Sequence, residues 1–150
     1  MEKPIILVVE DNPTSQKVVA LLAEEFGFNA IVVGCCAEAL QAIREQDIYD
    51  VVLMDLRLPD IDGISCTQKL RQLIRDSRHI PVIGMTGYVG PNDRQICLDA
   101  GLDDHLGKPF TAKEFRDMVL KWAKPQDRSI DKLGQVLDFR HPPKSAADEQ

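Results

Sequence analysis

Glu10-Asp11, Asp55, Thr86 and Lys108 share one placement: each stands where a stretch that reads as a strand gives way to a loop. Three carboxylates, a hydroxyl and an ammonium make a set suited to a cation and a phosphoryl group. Crowded carboxylates repel one another, which favours a hard divalent ion with oxygen ligands. Mg²⁺ fits, because it takes one or two carboxylates and keeps waters for phosphoryl oxygens. The ammonium adds a point positive charge for a second phosphoryl oxygen, and the hydroxyl donates to a third. A carboxylate facing a cation and an ammonium can attack phosphorus and become an aspartyl-phosphate. Such chemistry is mostly positioning and charge neutralisation. Taken singly, each residue has a plain reading. A strand-terminal Asp often caps a turn, Lys-Pro is usually a loop, and a lone Thr is a turn hydroxyl. Their occurrence on four separate strand ends is the informative feature.

The elements that would position them read as an alternating α/β pattern. Val51 to Met54 is aliphatic with no polar alternation, as in a strand buried on both faces of a parallel sheet, and it stops at Asp55. Ile5 to Val9 reads the same way and ends in Glu10-Asp11-Asn12. Pro13 suits a first helical turn, Val19, Leu22 and Phe26 follow at helical spacing, and Gly27 supplies the stop. Asn29 to Val33 is a short strand, and Ala37 to Glu45 a helix packing through Ala39, Leu40 and Ile43. After Pro59 and the Asp62-Gly63 turn, Ile64, Leu70 and Leu73 or Ile74 indicate a helix to about Arg75. Pro81 to Met85 is a fourth buried strand, ending at Thr86-Gly87. Pro91 opens a helix carrying Ile96, Cys97 and Ala100, closed by Gly101, and His105-Leu106-Gly107 is a weak last strand. Thr111 to Glu114 has the capping-box pattern, and Phe115, Met118, Val119 and Trp122 form the clearest amphipathic stripe. Five strands alternating with five helices predict a parallel sheet covered on both faces. Its strand ends converge where such sheets bind ligands.

Bulk properties narrow the function classes. A chain of 150 residues supports one domain with a sizeable core. Its 24 acidic against 18 basic side chains give a net charge of −6, which argues against nucleic-acid or anionic-membrane binding. Met1-Glu2-Lys3-Pro4 followed by a short apolar run does not read as a signal peptide, and no stretch has transmembrane length, so a cytoplasmic location is expected. Cys35, Cys36, Cys66 and Cys97 show neither metal spacing nor a disulfide framework. Vicinal Cys35-Cys36 admits a redox pair, but the reading adopted is two small residues near a helix start, with thiols kept reduced. The domain is expected over residues 1–124. Residues 125–150 read as a tail or linker with Pro142-Pro143, where Ile130, Leu133 and Leu137 hint at a short amphipathic turn.

On these residues the sequence resembles the receiver domain of bacterial two-component response regulators. The matching stretches are Val8 to Asn12, Met54 to Pro59, Asp62-Gly63, Met85-Thr86-Gly87 and Lys108-Pro109-Phe110, and the resemblance runs from Ile5 to about Lys124. It implies a flavodoxin-like, doubly wound five-stranded parallel sheet of order 2-1-3-4-5 with five helices. It implies Asp55 as the phosphoacceptor and Mg²⁺ as the cofactor. Asp11 would be a direct ligand and Glu10 a water-mediated one, with Asp55 and the Arg57 backbone carbonyl also in the metal set. Thr86, with Gly87, would be the switch and phosphate-binding pair, Lys108 the phosphate partner, and the bond to Pro109 cis. His105 stands where the family usually has Tyr or Phe. It reads either as a surface histidine or as a modified switch side chain with added pH sensitivity. Arg57 and Tyr88 take family positions that gate water and so set phosphoryl lifetime.

The stretches Val8 to Gln16 and Cys97 to Leu106 look like receivers of hybrid sensor kinases and phosphorelays. The resemblance therefore implies a histidine kinase or histidine phosphotransfer domain as partner. It admits a phosphorylation-dependent dimer, and it gives the isolated chain no turnover beyond its own phosphorylation and dephosphorylation. The parent is then a hybrid kinase or a stand-alone regulator. Three other readings compete. An aspartate-nucleophile phosphohydrolase would want a second Asp where Arg57 stands. A flavin module would want a phosphate-cradling loop where Glu10-Asp11 would repel phosphate. A non-phosphorylated interaction module would not need the acidic, Thr and Lys set intact.

Overall fold

The computed structural model describes residues 3–46, 48–74, 79–87 and 93–123. Expectations for Tyr88, the Pro91 helix start, Arg75, the Lys124 boundary and the tail at 125–150 lie outside the described residues. The elements run β1 (Ile5–Val9), α1 (Pro13–Phe26), β2 (Asn29–Val33), α2 (Cys36–Glu45) and β3 (Val51–Asp55). They continue as α3 (Gly63–Ile74), β4 (Val82–Thr86), α4 (Asp93–Asp99), β5 (Asp104–Gly107) and α5 (Ala112–Trp122). All four strand pairings are parallel, in the order β2-β1-β3-β4-β5. The flavodoxin-like arrangement expected from the resemblance is therefore present.

The two-faced burial of this sheet explains the unbroken aliphatic runs. Leu7, Val9, Val52, Met54 and Val82 point into one core, with Ala39 and Ile43 of α2 and Leu70 of α3. Ile6, Val8, Val51, Leu53, Ile83 and Met85 point into the other, with Val19 of α1 and Phe115 and Val119 of α5. Alternation persists at period two, but both destinations are apolar. Edge strand β2 is only partly covered.

Local signals fix several boundaries. Asn12 caps α1 by accepting from the Ser15 amide, and Gly27, at φ 79°, ends that helix in the left-handed conformation. Thr111 and Glu114 complete a reciprocal capping box on α5. Boundaries shift slightly elsewhere: α2 begins at Cys36, one residue early, and β4 at Val82, one late. On α4, Cys97 is buried while Ile96 is 51% exposed, so Ile96 is not part of the packing face. Of Leu73 and Ile74, Ile74 is the buried one. Among the described residues no helix is long and apolar enough to cross a membrane.

The cysteine reading needs a correction. Cys36 and Cys66 are disulfide-bonded with their Cα atoms 5.8 Å apart. Packing of α2 against α3 brings together residues 30 apart in sequence, a juxtaposition no local pattern announces.

Gly63 marks the tightest approach. A Cβ there would meet the Asp55 carbonyl oxygen and would lie 2.7 Å from the Leu56 Cα, both backbone atoms that cannot swing aside. Gly63→Ala is therefore expected to cost about 1–3 kcal/mol, the usual range for overpacking. A urea titration checks it; an unchanged midpoint would mean the loop yields freely.

Asp104 is buried at the start of β5. Burial alone would raise its carboxyl pKa. The hydrogen bonds from Trp122 Nε1, the His105 amide and Lys121 Nζ outweigh that and hold it below the usual carboxylate range. A depressed folded pKa gives stability that is present above the unfolded value of about 3.9 and lost as pH falls through the folded value. Asp104→Asn is expected to cost about 1–2 kcal/mol near neutrality. Its deficit against wild type should close as unfolding is repeated in progressively more acid buffer. A deficit that stays constant with pH would show that charge is not the cause.

Candidate functional site

Each site residue sits where a strand ends, and backbone hydrogen bonds between strand ends hold those residues together. The Glu10 amide donates to the Val33 carbonyl at 2.9 Å, carrying the β1–β2 pairing one residue past the strand. The Leu56 amide donates to Met85 at 3.1 Å, and the Lys108 amide to Thr86 at 2.8 Å. The ends of β1, β3, β4 and β5 thus form one edge. The order β2-β1-β3 puts the reversal of winding between β1 and β3, the place where open α/β sheets bind ligands.

One carboxylate oxygen from each of Glu10, Asp11 and Asp55 lies within 4.8 Å of the other two. Their environments differ sharply: Glu10 is 1% exposed and Asp55 6%, while Asp11 is open to solvent. Lys108 Nζ lies 2.6 Å from Glu10 Oε1 and 3.5 Å from Asp55 Oδ2. The Asn12 amide donates to Glu10 Oε2 at 3.1 Å, and the Arg57 amide to Asp55 Oδ1 at 2.9 Å. Burial pushes the Glu10 carboxyl above its ordinary value, and the Asp55 carboxylate adds to that push; the Lys108 ammonium and the Asn12 amide oppose it. Three oxygen-bearing acids, one solvent-facing, suit a small hard ion that keeps part of its water shell.

These groups border one open cleft of about 460 Å³, which Thr86, Gly87 and Arg57 also line. The structure therefore brings together Glu10, Asp11, Asp55, Arg57, Thr86, Gly87 and Lys108, all singled out from the sequence. The Lys108–Pro109 peptide bond is cis. His105 stands apart. It pairs with Gly84 inside the sheet, is half-buried, and does not line the cleft.

The supporting roles of three residues escaped the sequence reading, although Gly63 among them was read as part of a turn. Gln16 Nε2 donates to the Glu10 carbonyl at 2.5 Å, tying α1 to the end of β1. Gly63 lets α3 start against the carbonyl of Asp55, and its amide donates to Leu56 at 3.1 Å. Asp60 accepts from the Cys36 and Ala37 amides at 3.0 and 2.9 Å, so the loop after β3 caps α2. The first signal was a Gln one turn into a helix, the second a Gly after Asp. For Asp60 the sequence held none, because its partner helix lies more than twenty residues upstream.

Comparison with known proteins agrees with this geometry. The response regulator receiver domain family matches residues 6–120. The sensor protein GacS of Pseudomonas syringae pv. syringae is 32% identical over 122 residues, which cover 80% of this chain and 13% of that protein. The chain thus spans only a small fraction of that curated relative's length. The receiver domain of a sensor histidine kinase from Pseudomonas aeruginosa PAO1, solved with a magnesium ion coordinated in its active-site cleft, is 35% identical. Its TM-score is 0.73, over 81% of this chain and 98% of that one. A Saccharomyces cerevisiae receiver, that of Ssk1 solved in complex with the histidine phosphotransfer protein Ypd1, shares the fold. Its TM-score is 0.75 at 21% identity, over 81% of this chain and 89% of that one. The chain belongs to the response regulator receiver domain family. It is a receiver domain of phosphorelay signalling.

Proposed function

We propose that Asp55 is the phosphoacceptor of this receiver, taking its phosphoryl group from a phosphohistidine on a histidine kinase or histidine phosphotransfer protein. The observation that carries the reading is the position of Lys108 Nζ, in contact with Glu10 and 3.5 Å from Asp55 in an acidic cleft. An Asp55 carboxylate oxygen attacks phosphorus, the P–N bond breaks, and the imidazole leaves with its electron pair. The product is an acyl phosphate. The Arg57 amide holds the other carboxylate oxygen and so aims the attacking one. Glu10, Asp11, Asp55 and the Arg57 carbonyl would hold Mg²⁺, which neutralises charge on the phosphoryl oxygens when bound. Lys108, Thr86 and Gly87 take phosphoryl oxygens at the rim.

Turnover on outside substrates is not part of this reading, because Arg57 stands two residues after Asp55, where an acid/base aspartate would be wanted. The product acts through a population shift in which Thr86 moves toward the phosphoryl group, with His105 as the modified switch side chain on β5. We take residues 1–124 as the signalling unit, supported by the family match over 6–120 and by α5 reaching Trp122. An apolar cleft of about 350 Å³, lined by Val18, Val19, Pro109 and Phe110, opens beside Glu10 and Lys108. The surrounding cell compartment is taken as cytoplasmic, where such donors work.

Phosphoramidate, a small donor with the same P–N bond, tests the reading without a cognate partner. Incubation with Mg²⁺ should give one hydroxylamine-labile adduct that maps to the peptide containing Asp55. An adduct mapping to another residue, or none at any donor concentration, would overturn it.

A further inference from the structure

The Cys36–Cys66 bond fastens α2 to α3 at one particular place. Cys36 is the first residue of α2 and Cys66 lies in the first turn of α3. The stretch between them, 30 positions from one cysteine to the other, encloses β3, Asp55 and the loop from Leu56 to Asp62. The loop itself is fastened to α2 where the Asp60 carboxylate accepts from the Cys36 and Ala37 amides. Further along it, the Arg57 amide holds Asp55 Oδ1. A change at Cys36 is therefore passed to the acceptor strand through two fastenings and one short loop.

We propose that Cys36 and Cys66 form a reversible dithiol–disulfide site, oxidised by low-molecular-weight disulfides and reduced by low-molecular-weight thiols. Its state sets how tightly the loop beside Asp55 is held. Oxidation proceeds in two exchanges. The Cys36 thiol loses its proton to solvent, and its sulfur attacks the small disulfide, releasing one small thiolate and leaving a mixed disulfide. The Cys66 thiol likewise loses its proton, and its sulfur attacks Cys36 Sγ; the Sγ–Sγ bond forms and the second small thiolate leaves. Two electrons pass from the protein pair to the small disulfide, and reduction runs the same steps backwards.

Three features favour reversibility over a permanent staple. Both cysteines lie in the core shared by α2 and α3, where a thiol packs as a small hydrophobe, so sheet register and helix packing do not need the bond. Their Cα separation of 5.8 Å lies within the ordinary disulfide range, so the bond holds no imposed stretch between the helices. Access is through the start of α2, whose cap is a solvent-exposed carboxylate from another segment rather than a side chain of its own. Cys36 is 1% exposed and Cys66 0%, so exchange requires that turn to open and begins at Cys36, the residue on it. Cys35, beside it at the N-cap, lies outside the bridge.

The test uses the full chain equilibrated in buffers of graded reduced-to-oxidised glutathione ratio, then alkylated and peptide-mapped. Amide exchange over residues 56–62 is measured on the same samples. Cys36 and Cys66 should lose alkylation together across the series, with unchanged far-ultraviolet circular dichroism. Loop exchange should be several-fold slower in the oxidised form. Cys66→Ala and, separately, Cys36→Ala should make loop exchange indifferent to the buffer. Either variant suffices if the other folds poorly. Thiols that stay alkylatable in the most oxidising buffer would overturn the proposal. So would a bond that yields only in denaturant, or loop exchange equal in both states. None of these readouts uses phosphorylation, so they remain decisive whatever the role of Asp55.

Discussion

Asp55→Asn is expected to abolish the Mg²⁺-dependent phosphoryl adduct while leaving the domain folded. The amide nitrogen cannot attack phosphorus, and the remaining oxygen can still accept the Arg57 amide at Oδ1. Stability should hold or rise by about 1 kcal/mol, because one of three mutually repelling carboxylates is removed. Intact-mass measurement after small-donor treatment, paired with a thermal melt, reads both quantities. Labelling at the wild-type level would place the nucleophile elsewhere.

Lys108→Ala carries the next largest effect, and it has two parts. The ammonium is the positive group within 4 Å of both Glu10 and Asp55, so its loss should slow acceptor labelling by about tenfold or more. It also leaves the Glu10 carboxylate, almost wholly buried, without its ion-pair partner. Glu10 would then be pushed further above its ordinary value, and the fold should lose about 1–3 kcal/mol. Adding Mg²⁺ should restore part of the lost stability, since a cation supplies the charge that Lys108 gave. Labelling and stability both at the wild-type level would remove Lys108 from the site.

Most of the cleft was legible because its residues terminate strands that announce themselves. Ile5 to Val9 and Val51 to Met54 carry no polar position, so the first acid after each run must sit at the sheet edge. Thr86 follows by the same logic, whereas Lys108 comes just after the short, partly polar strand β5 and was placed by the Lys108-Pro109-Phe110 motif. What stayed hidden depends on packing between distant segments. Asp60 caps a helix whose start lies 23 and 24 residues upstream, and Cys36 meets Cys66 across two helices. Gly63 was read as a turn, whereas its missing Cβ makes room for the backbone of β3. His105 was placed on the last strand correctly, yet its distance from the cleft could not be read from spacing alone.

The central claim is that the acidic cleft works as a cation-dependent phosphoryl acceptor. Intact mass and amide NMR after incubation with acetyl phosphate, with and without Mg²⁺, address it most directly. The expected result is a single phosphoryl adduct that needs Mg²⁺, accompanied by shifts of the Thr86 and His105 amides. No adduct under either condition, with Thr86 and His105 unmoved by Mg²⁺, would contradict it and leave a receiver fold that serves only as an interaction module.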